Sequence, residues 1–360
     1  MATVLLTVSG TIDPAIAEKI ARGDRPRADY IEMARGFGAD VIDYTSMRRG
    51  SGFFAGLLEK LGGCNARMAW ECWTRRTRYD VLFTDGEQVG IPLALLLKLF
   101  GRGARATRHV MIVHTLSVGK KMKFFDWLGI QSHIDRFFVY STWQKAFIET
   151  RWKVTPEAVI FTPFMVDDRF FSTEHAEANS SGRSRPMICA VGLERRDYPT
   201  LMQAVRDLPV DVVIAAASPW SKQSDSTSSE AIPANVSIRK FTQFELRQLY
   251  ADSAFMVMPL YNVTFQAGVT AILEAMAMQR AVVCSLTPGQ TDVIVDGDTG
   301  IYVTPEDADA LRAAIVRLLD DPDEAVRMGR NARTVIDTQM NLDAYVAGFR
   351  THLAALQTNR

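Results

Sequence analysis

Two doubly wound α/β domains are the architecture this chain predicts, and three observations predict it. Short apolar runs recur from end to end without the apolar–polar alternation of a half-exposed sheet, as in strands buried on both faces. Helix-forming stretches separate these runs, the order expected of parallel strands joined by crossovers. The length of 360 residues exceeds what one ordinary core fills and suits two domains. The expectation is two Rossmann-like parallel-sheet domains facing each other, with ligands at the carboxyl ends of the strands.

In the first half the strand candidates are TVLLTVS (3–9), ADVIDY (39–44), DVLFTD (80–85), HVMIVH (109–114), RFFVYS (136–141) and AVIFTPF (158–164). Helical stretches such as PAIAEKIA (14–21) and IPLALLLKLF (91–100) lie between them. The second half continues with MICAVG (187–192), VDVVIAAA (210–217), VSIRKF (236–241), AFMVMPL (254–260), AVVCS (281–285) and GIYVT (300–304). The polar stretch STEHAEANSSGRSR (172–185) reads as a linker, and SPWSKQSDSTSSEA (218–231) as a loop inside the second domain. The segment LDAYVAGFRTHLAALQ (342–357) has helical periodicity. Domains are therefore expected at 1–170 and 186–340, joined by a linker at 171–185. A C-terminal helix at 341–360 has the option of packing back on the first domain.

Composition narrows the class. Hydrophobic residues make up 48% and charged residues 23%, the balance of a soluble globular protein. The chain is neutral overall, with 41 basic and 41 acidic residues, which argues against a general nucleic-acid binder. Residues 1–165 hold 23 Lys and Arg against 16 Asp and Glu, so the first half is basic and suits an anionic partner. Cys64, Cys72, Cys189 and Cys284 show no CxxC pair or metal-ligand spacing and read as buried thiols of a reducing compartment. MATVLLTVSG has no basic leader before its apolar run, and IPLALLLKLF is too short to span a bilayer. The expected location is cytoplasmic, with a peripheral position on the inner face of the membrane as an option.

The segment Phe265 to Gly300 carries the most chemistry. AFMVMPL precedes it as a buried strand; QAGVT then turns into the helix former AILEAMAM, and AVVCS is the next strand. Such a βαβ unit offers unpaired N–H groups at its helix N-terminus to an anion. Glu274 stands one turn further on, eight residues after Gln266. A phosphate site with a carboxylate close behind it points to a nucleotide ligand.

AFMVMPL…QAGVTAILEAMAMQRAVVCS…GQTDVIVDGDTGIYV resembles the donor-binding segment of retaining GT-B glycosyltransferases of the family-4 type (glycosyl transferases group 1). PFMVDDRFF, AVGLERRDYPTLMQAV, VSIRKFTQFELRQLYADSAFMVMPL and EDADALRAAIVRLLDDP extend the likeness over about half the chain, nearly all C-terminal. The resemblance implies a GT-B fold, its two domains across a cleft, and a nucleotide-sugar donor. Where the family usually carries a first Glu that accepts from sugar hydroxyls, this chain has Gln266, which keeps an acceptor, adds two donors and loses the charge.

The same resemblance, together with position at strand ends and local residue chemistry, assigns the remaining roles. Glu274 accepts from the ribose hydroxyls. Gly268, Val269 and Thr270 lend backbone N–H groups to the diphosphate. Arg196, with Arg195 as the other choice, neutralises the departing diphosphate, and Lys222 is a further candidate cation. Lys240 and Phe241 cradle the base. His114 is similar to an active-site His beside the transferred sugar, and Gly10 admits the diphosphate or the acceptor closely. Asp85 and Glu87 lie at a strand end, where they either face the acceptor or cap the next helix. Lys120 and Lys121 belong to SVGKKMKFFDWLGI, which with MRRGSGFFAGLLEKL mixes basic and aromatic residues. Such segments suit either core packing with a solvated edge or an anionic membrane surface.

The sequence thus predicts a retaining hexosyltransferase that uses a nucleotide sugar, UDP-linked ahead of GDP-linked, without a metal. The acceptor is a small molecule or is lipid-linked, and no nucleic acid is expected. A nucleotide-sugar epimerase of the same architecture and an inactive nucleotide-sugar-binding homologue are the alternatives. A nicotinamide-binding protein is disfavoured, since no GxGxxG follows the first strand.

Overall fold

The structure, a computed structural model, describes residues 3–50, 52–103, 106–177, 184–216 and 232–358. The chain divides into two compact units, one of Met1–Glu18, Arg27–Thr162 and Tyr345–Arg360, the other of Lys19–Pro26 and Pro163–Ala344. The expected loop at 218–231 and six residues of the expected linker, 178–183, fall outside the described residues.

All twelve strands expected from the sequence are present among the described residues. In the first unit they are β1 (Val4–Thr7), β2 (Asp40–Ile42), β3 (Val81–Thr84), β4 (Arg108–Val113), β5 (Arg136–Val139) and β6 (Val159–Phe161). In the second they are β7 (Met187–Val191), β8 (Asp211–Ala215), β9 (Val236–Arg239), β10 (Met256–Met258), β11 (Val282–Ser285) and β12 (Gly300–Val303). Every pairing is parallel, in the orders β2-β1-β3-β4-β5-β6 and β12-β11-β10-β7-β8-β9. Two Rossmann-like parallel-sheet domains are therefore the fold, as predicted. Central strands such as β1, β3, β7 and β11 are buried along their whole length, which is why their sequences do not alternate.

In the first unit the last helix, Leu342–Thr358, seals one face of the sheet. Its Phe349 ring meets Phe138 at 4.5 Å and Phe83 at 5.3 Å, edge to face. The helix Phe53–Arg75 is broken at Gly63, whose φ of 75° lies outside the helical region. Before that break Phe54, Leu57 and Leu61 are exposed, and their i, i+3, i+7 spacing puts them on one helix face. In the second unit the two sheet faces carry separate apolar clusters. One contains Met256, Tyr250 and the helix Val269–Ala277; the other is built on Tyr198, Val257 and Ile315.

Strand order determines where sites can form. In each sheet the order reverses beside the first strand, between β1 and β3 and between β7 and β10. At such switch points successive connections leave on opposite faces and open a crevice at the carboxyl ends.

Candidate functional site

At the switch point of the second unit the loops after β7 and β10 are stitched together. Asp197 donates its N–H to the Pro259 carbonyl (3.0 Å), Tyr261 donates to the Arg195 carbonyl (3.1 Å), and Arg196 bridges Leu260. The Asp197 side chain caps the helix Tyr198–Val205 by accepting from Thr200 N. Arg195 takes a left-handed φ of 59°, which costs a residue with a Cβ about 1–2 kcal/mol. That turn sends neighbouring side chains to opposite fates: Arg195 is exposed, whereas Arg196 is buried.

The buried guanidinium is held by its fork. Arg196 Nε donates to the Val191 carbonyl (2.9 Å) and Nη1 to the Glu194 carbonyl (2.7 Å). Room for it comes from two glycines. A side chain at Gly192 would collide with the guanidinium, and a Cβ at Gly268 would stand 3.2 Å from Arg196 Cζ and 2.7 Å from Met258 Sδ. Gly268 also has the left-handed φ of 79° that starts the helix Val269–Ala277. Arg196 therefore sits beside the end of that helix, where the first N–H groups lack intrahelical partners and the helix dipole is positive. Of the two residues beyond Gly268, Val269 is buried and Thr270 exposed.

Glu274 lies one turn further along the same helix and is buried. Its Oε2 accepts from the hydroxyl of Tyr250 at 2.8 Å. Burial lifts its carboxyl to about 7, against the opposing pull of that hydrogen bond. Sequence reasoning missed Tyr250, which is fully buried in the helix Gln243–Asp252 and reads locally as a core aromatic. Gln266 is half-buried, and its Oε1 is enclosed without a hydrogen-bond partner among the described residues.

Lys240 and Phe241 follow β9, the edge strand two places from β7. Lys240 is exposed and Phe241 half-buried. Phe241 lines a cavity of about 340 Å3 with Arg239, Phe244 and Arg247. Lys222 lies outside the described residues.

The first unit also gathers its expected residues at its switch point, and here two readings need correction. Glu87 does not cap the start of its own helix, which has no side-chain cap. It is buried, and Oε1 accepts from the backbone of His114 (2.8 Å) and Thr115 (2.6 Å). Asp85 likewise serves the fold, accepting from Thr7 Oγ1 (2.6 Å), Ser9 N (2.5 Å) and Ser9 Oγ (2.8 Å). The cause is common to both: loops that diverge at a switch point leave N–H groups without sheet partners, and nearby carboxylates satisfy them. Lys121 is drawn inward, 3.6 Å from Glu87 Oε2 and 2.6 Å from Thr115 Oγ1, whereas Lys120 is exposed.

His114 is exposed as well. Its Nε2 lies 2.9 Å from the Asp85 carbonyl and so carries the ring proton, leaving Nδ1 as an acceptor in the neutral ring. A Cβ at Gly10 would meet nothing within 4 Å, so the backbone is open there. Asp29 was not legible in the sequence. Burial raises its carboxyl above the ordinary value, with Asp85 adding to the effect and His114 opposing it.

Basic and aromatic residues in the helix Gly119–Leu128 divide by face. Phe125 is buried and stacks on Trp152 at 4.5 Å, while Trp127 is 75% exposed beside Lys123. No helix among the described residues is long and apolar enough to cross a membrane.

Residues 187–321 match the family described as glycosyl transferases group 1. The chain is 27% identical over 286 residues to MMP alpha-(1->4)-mannosyltransferase of Mycolicibacterium hassiacum, covering 72% of this chain and 66% of that one. It is 40% identical over 73 residues to alpha-D-kanosaminyltransferase of Streptomyces kanamyceticus, covering 20% of this chain and 19% of that one. The matched regions thus span between 19% and 66% of these relatives' lengths. Among solved structures, sucrose-phosphate synthase from Thermosynechococcus elongatus has a TM-score of 0.74 at 18% identity, over 99% of this chain and 100% of that one. Anabaena HepE, in complex with UDP-glucose, has a TM-score of 0.71 at 14% identity, over 99% and 100%. At these identities the structural likeness establishes the fold.

Proposed function

We propose that this protein is a glycosyltransferase that moves a hexose from a nucleoside-diphosphate sugar, UDP-linked by preference, to an acceptor hydroxyl with retention at the anomeric carbon. The observation that carries this reading is the convergence at Gly268 of the Arg196 guanidinium and a helix N-terminus. Two sources of positive potential then face one spot at a switch point, which suits a diphosphate. The match to group 1 glycosyltransferases covers this segment, and both named curated relatives are glycosyltransferases.

In the transfer the bond from C1 to the diphosphate oxygen breaks and a bond from C1 to the acceptor oxygen forms. The acceptor's proton passes to the departing diphosphate oxygen. Arg196 and the N–H groups of Val269 and Thr270 stabilise the charge that develops on the diphosphate. Glu274 accepts from the ribose hydroxyls, and Gln266 faces the sugar. We assign His114 to the reacting sugar, Gly10 to the backbone approach, and Lys240 and Phe241 to the base.

Thermal melting with nucleoside diphosphates tests the donor site. At a ligand concentration about 100 times the Kd, binding adds about 2.7 kcal/mol. For units of this size that corresponds to a rise of roughly 5–10 °C. UDP is expected to give the larger rise and GDP the smaller. A flat response to UDP, GDP and ADP at millimolar concentration sinks the reading.

The exposed row Phe54, Leu57 and Leu61, beside a basic half-chain, supports contact with an anionic lipid surface. Co-sedimentation with vesicles containing phosphatidylglycerol, released by salt and weakened by Leu61→Asp, is the expected outcome. Equal recovery with purely zwitterionic vesicles removes this part.

A further inference from the structure

Of the second unit's switch-point loops, residues 263–268 are gripped from one side by the turn that follows β11. Gly289 donates its N–H to the Val263 carbonyl (3.3 Å), and Gln290 Nε2 donates to the Ala267 carbonyl (2.5 Å). Between these two bonds Gly289 lies directly against the Phe265 backbone, where a side chain would overlap the carbonyl. The turn therefore holds the loop at three points around Gln266. It is itself closed by a bond from Gln290 N to the Thr287 carbonyl (2.9 Å).

These residues also concentrate polar atoms with nothing to bond. Gln266 Oε1, Thr287 Oγ1 and Gln290 Oε1 are all enclosed without a hydrogen-bond partner among the described residues, and Thr287 and Gln290 are 1% and 0% exposed. Buried polar atoms left unpaired are rare in folded proteins and call for a reason. A cluster of three beside an anion site is accounted for by a ligand that brings hydroxyls.

We propose that the turn Thr287–Gln290 forms the sugar-side wall of the donor site. Gln290 is a positioning residue for Gln266, and the Thr287 hydroxyl is reserved for an uncharged, hydroxyl-bearing sugar. This rests on the donor reading above and adds to it the class of sugar and the residues that select it. An anionic sugar fits poorly, since its carboxylate would face the amide oxygens of Gln266 and Gln290, with only the Thr287 hydroxyl of the three able to donate.

The experiment compares wild type, Gln290→Met and Thr287→Val in consumption of UDP-glucose, UDP-galactose and UDP-glucuronate, alongside UDP binding and thermal melting. Gln290→Met keeps the side chain's size and removes its amide. It is expected to lower kcat about 10- to 100-fold, as a misplacement on the ångström scale does, and to change the glucose-to-galactose ratio about fivefold or more. UDP affinity stays within about threefold, because the diphosphate contacts are elsewhere.

Thr287→Val removes an unpaired hydroxyl, so the free protein melts at the same or a higher temperature while turnover falls. A purely structural role predicts the reverse, lower melting with unchanged donor ratio. If Gln290→Met fails to fold, as absence of a UDP shift would reveal, Thr287→Val decides alone. Folded variants with wild-type kcat and donor ratio overturn this inference and leave the donor reading intact. A wild type that consumes none of the three sugars and shows no melting shift with UDP, GDP or ADP overturns both.

Discussion

Arg196→Met is expected to lower turnover about 100- to 1,000-fold, the loss seen when one fixed donor to a developing oxyanion is removed. The melting temperature is expected to change little. Two opposed terms give that result. The substitution leaves the carbonyls of Val191 and Glu194 without their donors, at about 1–3 kcal/mol each. It also removes a buried charge whose desolvation costs several kcal/mol; burial already holds this guanidinium below its ordinary pKa. Arg196→Lys should rescue little, because a single ammonium cannot reach both carbonyls and still face an anion. Arg195→Met, at the exposed neighbour, should cost less than about threefold, as a surface charge in water does. Steady-state kinetics of the three variants with one donor decide the matter, and equal losses at 195 and 196 would reject the assignment.

Glu274→Gln is expected to weaken nucleoside-diphosphate binding about 10- to 100-fold, since a hydrogen bond to a charged group contributes about 1.5–3 kcal/mol. It should also stabilise the free protein above neutral pH. The carboxyl is lifted from 4.5 to about 7 by burial, so between those values the folded chain holds a proton that the unfolded chain has released. Stability from this group therefore rises as pH falls through about 7 and levels off near 4.5. Above about 7 the free protein carries a buried carboxylate at a cost on the order of 3 kcal/mol, which the amide avoids. Nucleotide affinity runs the other way. Ribose hydroxyls need the ionised acceptor, so wild-type affinity drops as pH falls below about 7, and Glu274→Gln abolishes that dependence. Calorimetric titration with UDP from pH 5.5 to 8.5 checks it; a flat wild-type profile would refute the role.

Most of the fold was legible in the sequence. Val4–Thr7 or Met187–Val191 need no distant information to be read as strands, because an unbroken β-branched and apolar run is stable only when both faces are covered. The helix Val269–Ala277 was legible for a similar reason, with a left-handed glycine before a run of good helix formers. The candidate site was legible only in part. Gly268 and Glu274 lie in one contiguous segment, and their places follow from the local strand, turn and helix. Residues whose role depends on a partner elsewhere were misjudged or missed. Asp85 answers to Thr7, 78 residues away, Glu274 to Tyr250 at 24, and Ala267 to Gln290 at 23.

By itself, then, the sequence determined two parallel α/β sheets and a glycine-led helix start, because backbone preference and apolar patterning act over a few residues. Tertiary structure alone decided which arginine is buried against that helix, that Asp85 and Glu87 brace loops, and that Gln290 grips the loop carrying Gln266. Those outcomes rest on hydrogen bonds and desolvation between side chains far apart in the chain. Only the strand order, by placing β10 beside β7 and β3 beside β1, brings them within bonding distance.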